Sequence, residues 1–529
     1  MAARSNEVSN VEACISQLVR KLLERMFLHE HGSPLAGIHL KRGDQCLRLF
    51  WTLGFHLQDG ASQRQTFMNR QDTGSRLCQL CKNVFGVSQG NSSLEEDYKI
   101  TSKFLLFEDL DICSDEEILQ SWKRLEIKKN TENKATFKKW QQACGFTFSP
   151  QALLMSKPLE DLGLLRPATG YVHDWMHALC SNGVLCYIMQ WALEAMATDM
   201  PNIWSTFCQY LQLWIWPGNL PGSAAFHKSF QAKKVEAHKK NEKMVLSASE
   251  MLSIYPVLAY FMETCCVLPA CDVPKQVYLA WCHVLDLLVA STQHLPKPGQ
   301  LQQAVEKALA LTKAAGWAGS MRPKFHWCLH FEQALQQFDG LPSCWSLERK
   351  HKVARRYGSG LYNTNRYEDT LLKELTCDHL AHLKQEAAYR KGAYFLEPHP
   401  ISNKLKAYLI AQGIAQSHHL CQASNAARMK SGHICKIGDC VLYKLPAEQH
   451  DAFPFGSGHL EYLLECDGMT CAILKAFSLK EVNVKKKVAK WVPKEAELHL
   501  VSLDLLAAVV IFNKAETGLV TTLLPPHLT

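Results

Sequence analysis

The sequence lacks the long apolar run that a membrane-spanning helix needs. Its longest apolar stretch, LLAAVVIF from Leu505 to Phe512, has the length of a strand and falls short of the roughly 18 residues that cross a bilayer. The N-terminal segment has no apolar core behind a basic start and carries Glu7 and Glu12, so it reads as neither a signal peptide nor a transit peptide. We therefore expect a protein of the cytosol or the nucleus that is neither secreted nor membrane-bound.

Two further patterns are missing, a disulfide framework and a strong excess of one charge. The 21 cysteines scatter over 529 residues, which favours buried thiols or metal ligands over disulfides. The 58 basic and 50 acidic residues leave a net charge of +8, which permits a polyanionic partner without requiring one. Because 47% of the residues are hydrophobic, the chain can bury several cores, and we expect two to four domains.

The residues that are present predict an α+β protein that is mainly helical. Apolar positions recur at three and four from Val11 to His29, which predicts an amphipathic helix, and a short strand should end at Asp59. We divide the chain into 1–60 (this helix and strand), 61–320 (a CxxC segment and a large helical insertion), 321–400 (further helices), 401–431 (a linker) and 432–529. The last segment carries strand-like runs and turn signals, which predict a small, separate, barrel-like β domain.

Two pairs of candidate metal ligands are the most specific chemical feature of the sequence. Cys78 and Cys81 in RLCQLCKN can present two thiolates from one turn, and His326 and His330 place two imidazoles one helical turn apart. Together they could complete a closed, tetrahedral zinc site. The alternative is two buried thiols and two helix histidines that face polar neighbours.

Two acidic residues are candidates for a second kind of metal site. Asp59 follows a strand and Glu348 in WSLERKH lies near the start of a helix, so a fold that brings these elements together would let both hold Mg²⁺ for phosphodiester chemistry. The alternative is that Asp59 closes a turn and Glu348 faces solvent. Asp174 and His177 in HDWMH lie three apart on one helical face, which an ordinary helix start also explains.

The order of these motifs resembles the DDE transposases of the CACTA (En/Spm) type and their relatives. The resemblance rests on Asp59, RLCQLCKN, Asp174-x2-His177, His326-x3-His330 and Glu348-Arg349, and it covers roughly residues 10 to 390. It implies a ribonuclease H-like core with a large helical insertion, a structural zinc ion on the CxxC and HxxxH pairs, and Glu348 as the last carboxylate for Mg²⁺ or Mn²⁺. It also implies a nuclear protein with DNA as its partner; homo-oligomer formation stays open.

The sequence departs from the family at its first carboxylate. Asp59 corresponds to the second aspartate of the core, and Asp44 is too close to it for the three strands and helix that should lie between the two aspartates. The resemblance therefore implies transposase ancestry with impaired strand cleavage and transfer.

The alternative function is a non-catalytic helical scaffold whose β module binds protein or nucleic acid. Basic stretches at 123–139, 233–243 and 485–490 could contact phosphates or could be solvated surface.

Overall fold

The computed structural model describes residues 11–28, 34, 36–70, 76–84, 105–220, 222–361, 366–384, 392–411, 413, 420–446, 448, 453–466 and 468–529. About 50% of the chain is helical and about 20% is strand, so the prediction of a mainly helical α+β protein is confirmed. In these residues, no helix combines the length and the apolar character that crossing a membrane requires.

The chain forms two compact units that alternate along the sequence. Unit 1 comprises Met1–Met189, Lys243–Met251 and Gln276–Thr376, and unit 2 comprises Gln190–Glu242, Leu252–Lys275 and Cys377–Thr529. The predicted helical insertion at 61–320 is therefore not one domain, because its residues belong to both units.

The helices of the described residues are α1 Cys14–Phe27, α2 Gly60–Thr66, α3 Asp115–Thr131, α4 Lys134–Cys144, α5 Lys157–Asp161, α6 Val184–Ala197, α7 Ile203–Gln212, α8 Ala232–Lys240, α9 Ala248–Cys265, α10 Asp272–Ala290, α11 Gln300–Ala314, α12 Pro323–Trp327, α13 Phe331–Phe338, α14 Trp345–Gly358, α15 Tyr367–Lys384 and α16 Asn403–Ala411.

The strands are β1 Ile38–Arg42, β2 Gln45–Leu49, β3 His56–Gln58, β4 Tyr171–His173, β5 Trp214–Ile215, β6 Tyr394–Leu396, β7 His399–Pro400, β8 Leu420–Ser424, β9 Ala426–Arg428, β10 Ile434–Lys436, β11 Cys440–Lys444, β12 Phe455–Cys466, β13 Met469–Asn483, β14 Val488–Ser502, β15 Leu506–Val510, β16 Phe512–Lys514 and β17 Val520–Leu523.

Helix α1 confirms the helix that the N-terminal periodicity predicts. It buries Leu23 and Phe27 on one face, as an amphipathic helix should. Ser16 is also buried on this helix: its hydroxyl donates to the carbonyl of Thr66 at 2.6 Å and accepts from the amide of Leu153 at 2.9 Å. The polar group is thus satisfied while it ties α1 to α2 and to the segment before α5.

Unit 1 contains a short pair of parallel strands, and each strand is followed directly by an aspartate. Strands β3 and β4 run parallel, and Gln58 lies opposite His173. The next residues along the two strands are Asp59 and Asp174. Because parallel strands end at the same edge of a sheet, both aspartates begin at that edge.

The helices around the two histidines are held by buried charged groups. Glu332 on α13 is 5% exposed and accepts from the amides of Gly299, Leu301 and Gln302 at 2.9 to 3.2 Å, so it caps the N-terminus of α11. On α12, the Lys324 ammonium donates to the carbonyls of His177, Ser181 and Asn182 at 2.7 to 2.9 Å. These bonds fix α12 and α13 on both sides.

Gly60, the first residue of α2, allows a close approach to α12. A Cβ atom at this position would lie 2.8 Å from Cη2 of Trp327. A glycine is therefore needed for the start of α2 to pack against the indole beside His326.

Unit 2 is built around a large antiparallel sheet. In the described residues the sheet has ten strands. Eight of them follow the path β15-β11-β12-β13-β14-β17-β16-β5, while β8 pairs with β12 and β7 pairs with β8. The strand-like runs predicted after residue 432 are confirmed as strands β10 to β17. The barrel form stays a prediction.

The structure differs from the predicted linker and β domain in two respects. The stretch 401–431 is not a linker, because it contains α16, β8 and β9. The β domain is also not separate from the helical segment: β5, from the middle of that segment, pairs with β16, matching Ile215 to Phe512. Sequence periodicity misses β5 because it contributes only two residues.

Candidate metal centre

The CxxC turn is shaped by hydrogen bonds with the segment 109–113. Cys81 forms an antiparallel bridge with Ile112, and the Cys113 amide donates to the Leu80 carbonyl at 2.8 Å. The Arg76 guanidinium donates to the Cys81 carbonyl at 2.8 Å. The backbone is therefore paired on both sides of the turn, and the two thiols are free to face inward.

The second pair of ligands lies where α12 gives way to a single 3-10 turn. His326 is on α12, and His330 ends the turn Cys328–His330 before α13 begins. The predicted helix at this position is thus interrupted, yet the rings still converge, with the two Nε2 atoms 3.3 Å apart.

The structure brings all four predicted ligands together. Their ligand atoms lie within 4.8 Å of one another, and the residues are 1% (Cys78), 0% (Cys81), 2% (His326) and 3% (His330) exposed. A buried cluster of two thiols and two imidazoles can hold a metal ion, and full burial is typical of a structural site rather than a catalytic one.

The distances inside the cluster match a tetrahedral site. Zinc bonds of about 2.3 Å to sulfur and about 2.0–2.1 Å to nitrogen imply S···N edges of about 3.5 Å and an N···N edge of about 3.3 Å. The Cys81 sulfur lies 3.4 Å from both Nε2 atoms, and the Cys78 sulfur lies 3.4 Å from that of His330. Four of the six distances between ligand atoms therefore match a tetrahedral metal site, and the other two are no longer than 4.8 Å.

The ionisation of the cluster also fits a cation. Burial opposes a charge on Cys78, but the hydrogen bond with Cys81 and the nearby histidines outweigh burial and hold the pKa of Cys78 well below its usual range. The hydrogen bond with Cys78 and burial raise the pKa of Cys81. Burial lowers the pKa of His326, which favours the neutral imidazole that binds metals. A bound divalent cation would offset the effect of the Cys78 charge on Cys81, so that both sulfurs could bind it as thiolates.

Asp174 and His177 lie together, as the sequence predicts, and a third residue joins them. Cys344, which sequence reasoning missed although it directly precedes the WSLE stretch, forms a compact group with them. The Asp174 side chain is 1% exposed, and it accepts from Nδ1 of His177. It also accepts from the amides of Met176, His177 and Cys344 at 2.9 to 3.3 Å.

These hydrogen bonds give Asp174 a structural role. Both of its oxygens are occupied, and the direct contact with the His177 ring leaves no room for a cation between the two. The Cys344 amide lies immediately before α14, so the carboxylate joins the end of β4 to the start of the helix that carries Glu348.

Asp59 and Glu348 are near one another but are not assembled as metal ligands. Asp59 caps α2 by accepting from the Ser62 amide at 2.6 Å, and the Glu348 side chain is 45% exposed with His351 3.8 Å away. Burial raises the pKa of the Cys344 thiol, and the negative charges of Asp174, Asp59 and Glu348 raise it further. Within the described residues, neither Asp59 nor Glu348 belongs to a group of three converging ligand atoms.

Comparisons of the chain with models of known families, with curated proteins and with solved structures find no match.

We expect Asp174→Asn to lower the free energy of unfolding by about 2–4 kcal/mol, because it removes a buried charge that accepts four hydrogen bonds. Urea unfolding followed by tryptophan fluorescence measures the change. Asp161→Asn is the matched control, because its side chain is 61% exposed and its ion pair with Lys157 contributes little. Equal effects of the two substitutions would contradict the structural role.

Proposed function

We propose that the chain is a transposase-derived, DNA-associated nuclear protein whose unit 1 is held together by a structural zinc ion. The observation that carries the proposal is the tetrahedral spacing of two ligand pairs, of which Cys81 and His326 are 245 residues apart. Two thiols and two imidazoles form a donor set typical of zinc. The zinc ion would neutralise both thiolates and join the CxxC turn to α12 and α13.

The resemblance to CACTA-type DDE transposases supports the same proposal through the placement of the motifs. The ribonuclease H-like core would be represented by the parallel pair β3 and β4, with Asp59 directly after β3. Glu348 lies in the first turn of α14, beside the same edge. In this proposal unit 2 is an added module that contains a barrel-like β domain.

Association with DNA is supported by the charge on α14 rather than by the basic stretches that the sequence suggests. Those stretches are partly neutralised, since Lys123 pairs with Glu160, Lys239 with Glu194 and Lys490 with Glu481 at 2.6 to 3.1 Å. Their charges are therefore less available to phosphates.

Helix α14 carries a dense run of cations, most of which are exposed and unpaired. Four of them have no ion pair in the part of the chain that the structure describes: Arg349, Lys350, Lys352 and Arg355. Like charges one turn apart repel, and the phosphates of a nucleic acid would relieve that repulsion. Because the same helix carries Glu348, a bound strand would pass beside the carboxylates.

Catalysis is the part of the ancestral function that we propose is impaired. Two-metal strand transfer needs carboxylates free to hold two ions about 4 Å apart. One oxygen of Asp59 accepts the cap hydrogen bond of α2, and both oxygens of Asp174 accept hydrogen bonds from backbone amides. These same bonds favour the second candidate function, a non-catalytic scaffold that binds nucleic acid or protein.

We expect the purified chain to contain one equivalent of zinc, measured by elemental analysis. Cys78→Ala should lose the metal because three ligands cannot close the site, whereas Cys113→Ala, which changes a buried thiol outside the four-ligand group, should retain it. Wild-type protein purified without zinc would refute the metal proposal, and so would equal loss in both variants.

We expect duplex DNA binding to weaken in the double variant Lys352→Gln, Arg355→Gln. Each cation that neutralises a phosphate contributes about 0.9 to the slope of log K against log[salt], so the slope should fall by about 2. A salt titration by fluorescence anisotropy measures it. Lys297→Gln, Lys307→Gln removes two exposed charges elsewhere in unit 1 and should leave the slope unchanged. An equal change in both variants would show that α14 is not the contact.

We expect no nicking of supercoiled plasmid with Mg²⁺ or Mn²⁺ above the level of Glu348→Gln, because Asp174 is committed to the fold and Asp59 and Glu348 are not assembled as metal ligands. Gel electrophoresis after incubation measures the products. Nicking by the wild type that both Asp59→Asn and Glu348→Gln abolish would restore the enzyme assignment.

A further inference from the structure

His173 lies against the metal cluster without being one of its four ligands. It ends β4, is 5% exposed, and stacks on the Trp327 indole with ring centroids 5.0 Å apart and an interplanar angle of 15°. Its ring centroid lies 5.6 Å from that of His330. The imidazole is therefore fixed in place by packing.

The Nε2 atom of His173 is buried and has no hydrogen bond of ordinary geometry with the described residues. The group within its reach is the Cys78 thiol. A buried ring nitrogen that faces a buried sulfur is the arrangement of a donor and an acceptor.

We propose that His173 donates its Nε2–H to the Cys78 thiolate of the metal centre and acts there as a positioning residue. The inference rests on the proposed zinc site and adds a role that the ligand set does not require. A neutral imidazole is sufficient, since one ring nitrogen then carries the proton. The four ligands already complete a tetrahedron, so His173 is a partner of a ligand rather than a fifth ligand.

Two effects follow from this hydrogen bond. It withdraws negative charge from the sulfur, which stabilises a thiolate in a site closed to water. It also couples the two halves of the centre: Trp327, on which His173 stacks, is the neighbour of His326, whereas the sulfur belongs to the CxxC turn. Such partners of ligands orient them and affect metal affinity.

The test compares a substitution that keeps the ring with one that keeps a donor. His173→Phe retains the stacking on Trp327 but has no N–H, whereas the amide of His173→Gln can donate. The full chain is loaded with Zn²⁺ for affinity measurement against a chelating dye, and with Co²⁺ for the sulfur-to-metal charge-transfer band. We expect His173→Phe to bind zinc about 10-fold or more weakly and to shift the band to lower energy. His173→Gln should stay close to wild type in both.

Three other outcomes would each overturn the inference, and they can be told apart. Unchanged affinity and band in His173→Phe would leave the zinc site standing and remove the hydrogen bond. Equal losses in both variants would assign His173 a packing role only. Wild-type protein that binds neither metal would refute the zinc site and this inference together. If His173→Phe does not fold, His173→Met replaces it, because methionine matches glutamine in length and has no N–H.

Discussion

The closed cluster of Cys78, Cys81, His326 and His330 is the constraint on which the rest of unit 1 depends. Buried thiols and imidazoles 3.3 to 3.4 Å apart carry charges and lone pairs that water does not reach, so they need a cation or a shared proton. The elements around them are fixed accordingly. Glu332 caps α11 from α13, Lys324 holds the turn after β4, and the segment 109–113 pairs with the CxxC backbone. Each of these contacts positions an element that carries one of the two pairs, the cysteines or the histidines.

A second network of polar side chains begins beside this cluster. His173 faces the Cys78 thiol, and the next residue, Asp174, accepts the amide that precedes α14. The strand end thus connects the four-residue Cys/His cluster to the helix that carries Glu348. The same connection explains why Asp174 is a poor candidate for catalysis. A carboxylate whose lone pairs are taken by backbone amides stabilises the fold and has none left for a divalent ion.

Charge is distributed differently on the surfaces of the described residues. On α3 and α8 part of the positive charge is paired, since Lys123 contacts Glu160 and Lys239 contacts Glu194. On α14 the cations follow one another with Glu348 as the only acidic residue, and the helix is held at its N-terminus by Asp174. A basic helix in a fixed position can present its charges to a phosphate chain without further ordering, which lowers the entropy cost of binding.

The sequence by itself determined the ligand types and much of the local structure. The spacing of Cys78 and Cys81, the four-residue step from His326 to His330, helix α1 and the strands after residue 432 all follow from local rules of periodicity and ligand geometry. The tertiary structure alone decided which of these meet. It placed β3 beside β4, joined the two-residue strand β5 to β16, and set His173 and Cys344 beside the predicted sites. The physical reason is that burial and hydrogen bonding between distant segments depend on packing in three dimensions, which no local pattern contains.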